Sequence, residues 1–525
     1  MSAQKAPSET EVLIVGAGAA GAYMAASLAS AGKTVTVLDA GPSWKLEDLV
    51  SNQIWARRLR WGGAPVLPGG AHPYPFNFNA GWGYGGAALH HYGTWPRMHE
   101  DDFQMQAKFG RGIDWPISYQ DLRPYYDEIQ ERAGVSGDAE AEIWRPEGAP
   151  YPLPPVPTLD QARILRRGFD SVGVKTAPAP MAVLSRPYKG RNACIYDGWC
   201  DAGCPIGALY NPLVLDLPEA QAAGALFVSN AKVVKLKSDR SRATGAIYID
   251  REGVKKSIDA SIVVLAASVV QNPTLLLNSR SAEFPGGLAN SHDLVGKYFM
   301  SHALAPVFGM FEEETSPHLG LSGAQLISHD DYPKKRENNA PFGSYQWLIA
   351  PSMKPNDLLG VATTRADLFG DTLHDFMKRA TRHIANMIGF AEELPREENR
   401  IELSGEAGAN GAMLPRVVHS YDENTLKLRE LMRAQGERVM AAAGAGEVWS
   451  APLAQAHMMG GTIMGHDPAT SVTDSYGRAH SVQNLVIAGS GLFPTGAAVN
   501  PTFTLYALAA RTAAHMLDNW ADYQG

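Results

Sequence analysis

The stretch VLIVGAGAAGAYMAASLASAGKTVTVLD, from Val12 to Asp39, decides the fold. Val12 to Val15 is apolar and partly β-branched, which reads as a buried strand. Gly16-Ala17-Gly18-Ala19-Ala20-Gly21 turns the chain into Ala19–Ala31, rich in strong helix formers. Gly32 ends that helix, and Thr34 to Leu38 resumes as a strand. A G-x-G-x-x-G set between strand and helix is a dinucleotide-binding turn. Gly16 permits the tight turn, Gly18 lets a pyrophosphate approach the backbone, and Gly21 lets helix and strand pack closely. Asp39, 18 residues beyond Gly21, ends the second strand, where an acid accepts hydrogen bonds from ribose hydroxyls. On this motif alone FAD and NAD both remain open.

Outward from that unit, 231–281 has the same α/β texture, with Ile262–Ala267 as a buried strand. So does 484–519, where Leu485–Ala488 reads as a strand and Thr502–Leu517 as a helix. The intervening segments differ. Residues 44–115 hold six of the eleven tryptophans, and 146–157 (PEGAPYPLPPVP) is expected to run extended over the surface. Residues 306–456 mix strand-like runs with one amphipathic helix, near Thr425–Ala443. A chain of 525 residues exceeds the ~250–300 at which one core stops growing, so two or more domains are expected. The pattern predicts an α/β, Rossmann-like dinucleotide domain interrupted by segments that build a second domain.

Composition narrows the class. Charged residues are only 19% against a usual ~25%, while 52 Gly and 35 Pro suit a large, loop-rich enzyme. The net charge of −8 without a basic run argues against nucleic acid as a partner. The longest apolar stretches, such as Ile262–Val270, fall short of the ~18–20 residues that span a bilayer, so no membrane span is expected. The N-terminal MSAQKAPSETE has no signal pattern, so a membrane or periplasmic location is expected to need a partner.

The runs His457-Met-Met-Gly-Gly-Thr-Ile-Met-Gly465 and Asn484-Leu-Val-Ile-Ala-Gly-Ser-Gly-Leu-Phe-Pro-Thr495, followed by Ala-Ala-Val-Asn500-Pro-Thr, resemble the glucose–methanol–choline (GMC) oxidoreductase family. The N-terminal turn, Gly85-Gly86 and Val264-Leu-Ala-Ala267 fit the same family. The resemblance implies FAD, a flavin-binding domain and a separate α+β substrate domain on an antiparallel sheet. The expected boundaries are 1–95, 190–300 and 455–525 for the first, and 96–189 and 301–454 for the second. Family chemistry is alcohol oxidation by hydride transfer to flavin N5. By position His457 is then the base and Asn500 its partner, which suits an imidazole whose pKa lies near the operating pH. Expected cofactor-binding residues are Gly16, Gly18, Gly21, Asp39, Gly85, Gly86, His90, Gly489, Asn500 and Thr502. Gly85-Gly86-Ala-Ala-Leu-His90-His91 departs from the usual family pattern, and either His90 or His91 is a candidate flavin tether. His302, in Gly296-Lys-Tyr-Phe-Met-Ser-His302, is read as structural. Trp44, Trp55, Trp61, Trp82 and Trp95 are read as core or interface residues before sugar platforms.

Three cysteines, Cys194, Cys200 and Cys204, fall within eleven residues, a poor disulfide framework and a better ligand set. Cys194-x5-Cys200-x3-Cys204-Pro205 resembles catalytic subunits of bacterial membrane-associated FAD dehydrogenases acting on glucose, fructose, sorbitol or related sugars. That resemblance implies a [3Fe–4S] cluster on the three thiolates. Zinc would need a fourth ligand, such as a His, and none lies between Cys194 and Cys204. It also implies a sugar or polyol substrate, a small export-chaperone subunit and a multihaem cytochrome c subunit. The location would then be the periplasmic face of the bacterial inner membrane, or the cytoplasm if no such partners exist. The alternative is a soluble GMC alcohol or glycoside oxidase using O2 with no cluster.

Overall fold

In the computed structural model, residues 5–60, 65–75, 80–337 and 340–524 are described; Trp61 lies outside them. The apolar run after the polar N-terminus forms the central strand Glu9–Val15, whose Val12–Val15 side chains are buried. Each such side chain removed from water contributes about 1.5–3 kcal/mol. Val35–Leu38 and Lys255–Leu265 flank it in parallel, with Val12 opposite both Val35 and Ile262. Leu226–Val228 extends the sheet in parallel beyond Val35–Leu38. Leu485–Ile487 pairs in parallel with the C-terminal end of Lys255–Leu265, and the hairpin Lys232–Asp239/Arg242–Ile249 pairs antiparallel with its N-terminal end. The parallel strands therefore end together at Gly16, Asp39, Ala266 and Gly489, the edge where an open α/β sheet binds ligands.

Helix Ala19–Ser30 crosses back over this sheet and packs on Thr502–Asp518. Tyr119–Ala133 packs on Thr502–Asp518 as well, although 96–189 was expected in the substrate domain. Its buried stripe Tyr119, Leu122, Tyr126, Ile129 and Ala133 has helical spacing and joins the flavin-side core. The Tyr126 hydroxyl bonds Thr504 Oγ1 at 2.6 Å.

A second, antiparallel sheet centres on Met300–Met310. Ile384–Ala391, Tyr345–Ile349, Leu326–Ser328 and Ala177–Pro178 follow on one side, and Glu447–Ser450 and Ala454–Met459 pair on the other. One face (Ala303, Ala305, Val307, Trp347, Met387) is covered by helices Asp160–Ser171 and Glu423–Ala442. The opposite face (Leu304, Ile327, Leu348, Phe390) packs with the three cysteines. The cysteine segment thus lies on the second sheet, not in the flavin-side core where the expected boundaries placed it. A short third sheet joins Arg400–Ala407, Met413–Val418 and Leu67–Gly69. Among the described residues no helix is long and apolar enough to cross a membrane.

Candidate active site

His457 owes its direction to a bulge. Ala456 lies opposite His302 but Met459 lies opposite Met300, so one extra residue is accommodated at His457-Met458. His457 takes φ +67°, a left-handed conformation costing about 1–3 kcal/mol in a non-glycine residue and characteristic of functional positions. Its ring stacks on Phe390 at 5.2 Å, and its Nδ1 meets His302 Nδ1 at 2.9 Å. Asn500 arrives from the loop before helix Thr502–Asp518, with Nδ2 3.3 Å from His457 Nε2.

The proton positions follow from the network. His302 Nε2 faces the carbonyls of Ala497 (2.9 Å) and Gly496 (3.4 Å), which only accept, so Nε2 carries the proton. His302 Nδ1 is then an acceptor, and His457 must donate from Nδ1–H. That leaves the lone pair of His457 on Nε2, toward Asn500 Nδ2. Burial, then neighbouring His302, pushes the His457 pKa well below its ordinary value, and burial lowers His302 to about 4. Both rings are neutral near pH 7, as a proton acceptor requires. Behind them the Ser301 N–H donates to Glu393 Oε2 at 2.6 Å, and the Tyr421 hydroxyl donates to the His302 carbonyl at 2.9 Å.

Asn500 is held from its other end. Its Oδ1 accepts from Gln346 Nε2 (3.1 Å), Gln346 Oε1 accepts from His329 Nε2 (3.1 Å), and His329 Nδ1 lies 3.1 Å from His99 Nε2. His99 and His329 line a cleft of about 400 Å³ with Glu100, Asp101, Trp144 and Tyr332. No sequence motif marks Gln346, His329, His99 or Trp144. Nothing local marks Gln346 among alternating strand residues.

The phosphate-binding turn fits a dinucleotide. A Cβ on Gly16 (φ +104°) would meet Ala266 O at 2.5 Å, and one on Gly21 would meet Gly16 O at 2.0 Å. Around Gly18, by contrast, an added Cβ finds nothing within 4 Å, so space is left where a pyrophosphate would lie. Helix Ala19–Ser30 begins there with no side-chain cap and no acid in its first turn, leaving its N–H groups for an anion. Gly489 (φ +118°) is equally open, and Gly86 comes close enough to Gly18 that its Cβ would lie 3.2 Å from Gly18 Cα. Gly85 N donates to Ala17 O at 2.9 Å. Asp39 accepts from Ala17 N (2.9 Å) and Gly41 N (2.8 Å), so it braces the turn in addition to its expected ribose role. Burial pushes its carboxyl up, and those backbone bonds oppose the rise. Thr502 opens its helix, partly exposed. His90 Nε2 donates to Ala80 O, while His91 uses Nε2 on Tyr210 O and Nδ1 on Gly93 N–H, leaving His91 no nitrogen for a tether. Trp95 is core, stacked on Phe503 at 5.1 Å, and Trp44 packs edge-on against Trp55.

The cysteine loop fits an iron–sulfur group in donor type but not in arrangement. Tyr196 N–H points at Cys194 Sγ (3.3 Å) and Leu209 N–H at Cys204 Sγ (3.4 Å), donors of the kind that tune cluster sulfurs. Burial raises all three thiols, Cys194 to about 12, with no cation among the causes. Among the described residues, however, no group of three His, Cys, Asp or Glu side chains is arranged to hold a metal ion. The three thiols are therefore not set as a ready ligand group among the described residues.

Two GMC oxidoreductase family models match the chain, one over residues 10–304 and one over 395–509. The chain is 31% identical to 2-methyl-1,2-propanediol dehydrogenase of Mycolicibacterium austroafricanum, covering 98% of this chain and 96% of that protein. It is 30% identical to the fructose dehydrogenase large subunit of Gluconobacter japonicus, covering 97% and 98% respectively. A solved structure of Aspergillus oryzae RIB40 formate oxidase, studied for FAD modification, shares the fold with TM-score 0.67 at 14% identity, covering 99% of this chain and 100% of its own. The chain belongs to the GMC oxidoreductase family, as an FAD-dependent oxidoreductase acting on CH–OH groups.

Proposed function

We propose that the protein is a dehydrogenase that oxidises a hydroxyl of a sugar or polyol. The observation that carries this reading is the unprotonated Nε2 of His457, fixed by His302 on one side and facing Asn500 Nδ2 on the other. Nε2 takes the hydroxyl proton as the carbinol hydride leaves. The His302 Nδ1 lone pair then stabilises the imidazolium through His457 Nδ1–H, and the Asn500 amide donates to the developing alkoxide without competing for the proton. Bound FAD supplies the hydride acceptor at N5; Gly16, Gly18, Gly21, Asp39, Gly85, Gly86, His90, Gly489, Asn500 and Thr502 would hold it. The two relatives, a diol and a fructose dehydrogenase, support a polyhydroxylated substrate.

The same proposal makes the Cys194, Cys200 and Cys204 loop the seat of a [3Fe–4S] cluster, with a cytochrome c partner receiving electrons and a small subunit assisting export to the periplasmic face of the inner membrane. Its support is the cysteine spacing, the N–H donors on two sulfurs, and a relative named as a large subunit. The second reading is an oxidase using O2 with no cluster, favoured by the unassembled thiols. Iron and acid-labile sulfide per flavin on anaerobically purified protein, followed by a sugar and polyol panel with an artificial acceptor, separates the two. About three irons per flavin and acceptor-dependent turnover support the dehydrogenase. No iron and stoichiometric hydrogen peroxide support the oxidase.

A further inference from the structure

The amide of Asn500 is useful to His457 in only one of its two orientations. With Nδ2 toward Nε2, it leaves the base its lone pair; with Oδ1 toward Nε2, it calls for a proton there and removes the base. Nothing in Asn500 itself selects between them. The selecting contact comes from strand Tyr345–Ile349, where Gln346, fully buried, donates Nε2 to Asn500 Oδ1 at 3.1 Å. The Gln346 amide is itself oriented, because its Oε1 lies 3.1 Å from His329 Nε2, and His329 Nδ1 accepts from His99 Nε2. Every bond in the series His99, His329, Gln346, Asn500, His457 therefore runs in one donor direction. At His457 the series continues in the same donor direction, from His457 Nδ1–H to His302 Nδ1 and from His302 Nε2–H to the Ala497 carbonyl.

We propose that Gln346, oriented by His329, is a positioning residue that sets the amide orientation of Asn500 and thereby keeps His457 in its Nδ1–H form. The inference rests on the reading of His457 as the base for its effect on rate, but not for its effect on the tautomer. Neither residue touches the reacting atoms.

Gln346→Glu tests it. An ionised carboxylate at 346 only accepts, so it draws Asn500 Nδ2 toward itself and turns Oδ1 to His457 Nε2. Protonated, the introduced carboxyl donates again and restores the native orientation. The groups facing this position are His329, His99 behind it and His457 across Asn500, with Tyr332, Asp102 and Lys334 flanking His329 and His99. Burial holds His99 and His329 at about 3, so both stay neutral across this range, and burial, then His302, holds His457 toward its neutral form. The ratio of variant to parent flavin-reduction rates should therefore fall as pH rises from about 5 to 9, reaching about 10²-fold, the low end of what a positioned base supplies. KM should change little. In ¹⁵N-histidine spectra of the FAD-loaded protein at high pH, the unprotonated nitrogen of His457 should move from Nε2 to Nδ1. A pH-independent rate ratio together with an unmoved His457 tautomer overturns the proposal. A moved tautomer with unchanged rates upholds the orientation by Gln346 and removes His457 as the base instead. If Gln346→Glu does not fold, Gln346→Met should show both His457 tautomers, and a single native tautomer there overturns the proposal.

Discussion

His302 meets His457 through one 2.9 Å contact between two imidazoles. In His302→Leu the side chain keeps much of its volume but loses both bonds. His457 Nδ1–H loses its acceptor, and the Ala497 carbonyl loses its donor. Each buried orphan costs about 1–3 kcal/mol, so the fold should lose about 2–6 kcal/mol, enough to lower the melting temperature by several degrees. The rate effect is separate. Without His302 the His457 proton is no longer held on Nδ1, and the imidazolium formed during proton abstraction loses its stabilising partner. At about 1.4 kcal/mol per decade, losing one such bond of about 1.5–3 kcal/mol slows flavin reduction by about 10–100-fold. Anaerobic stopped-flow reduction of the bound flavin by a substrate sugar measures this directly, with KM changed less than about threefold because ground-state contacts are untouched. His302→Gln offers an acceptor to His457 and a donor to Ala497, and should recover most of the rate. Parental reduction rates in His302→Leu with full FAD content would refute the tautomer argument, since the base would then need no partner.

Gly18→Ala should fold and melt like the parent, because its Cβ enters open space, yet purify with little FAD; Gly21→Ala, which drives a Cβ to 2.0 Å from Gly16 O, should instead lose about 1–3 kcal/mol of stability in urea titration. Several buried histidines are held neutral by burial, His91 and His302 at about 4 and His99 and His329 at about 3. The unfolded chain binds protons on them below about pH 6.5 and the folded chain does not, so stability should fall as pH drops from about 6.5 toward 4, by up to about 1.4 kcal/mol per pH unit per group. His419, held above its ordinary value by Glu393 against its burial, opposes this trend, so His419→Gln should make the acid fall in melting temperature steeper. Cys200→Ser should abolish any bound iron while leaving FAD content near one per chain, as measured by metal analysis and flavin absorbance.

What was legible in the sequence is what is local. The strand, turn and helix around Gly16–Gly21 occur where the pattern put them, Glu9–Val15 and Ala19–Ser30, because burial of one contiguous run and the glycine spacing act within 30 residues. Helix Thr502–Asp518 and strand Leu485–Ile487 were equally readable. His457 and Asn500 are marked by resemblance, and the fold brings them within 3.3 Å. His302 was read as structural because its partnership depends on two strands 155 residues apart pairing around a bulge, which no local spacing encodes. Gln346 reaches Asn500 from strand Tyr345–Ile349, and His329, just past strand Leu326–Ser328, reaches Gln346. The helical stripe of Tyr119–Ala133 is legible in the sequence, but the surface it covers, helix Thr502–Asp518, is not. The cysteine spacing is plain, while the Cys194 and Cys204 sulfurs meet the local N–H groups of Tyr196 and Leu209.

The most direct test of the central claim is anaerobic reduction of the flavin in the parent and in His457→Ala, across a panel of sugars and polyols. At least one of these should bleach the parent flavin rapidly, and the variant, with FAD fully bound, should react about 10²–10⁴-fold more slowly at every pH where the parent is active. Equal reduction rates in the two proteins would contradict that claim, and the proton of the substrate hydroxyl would have to leave by another group.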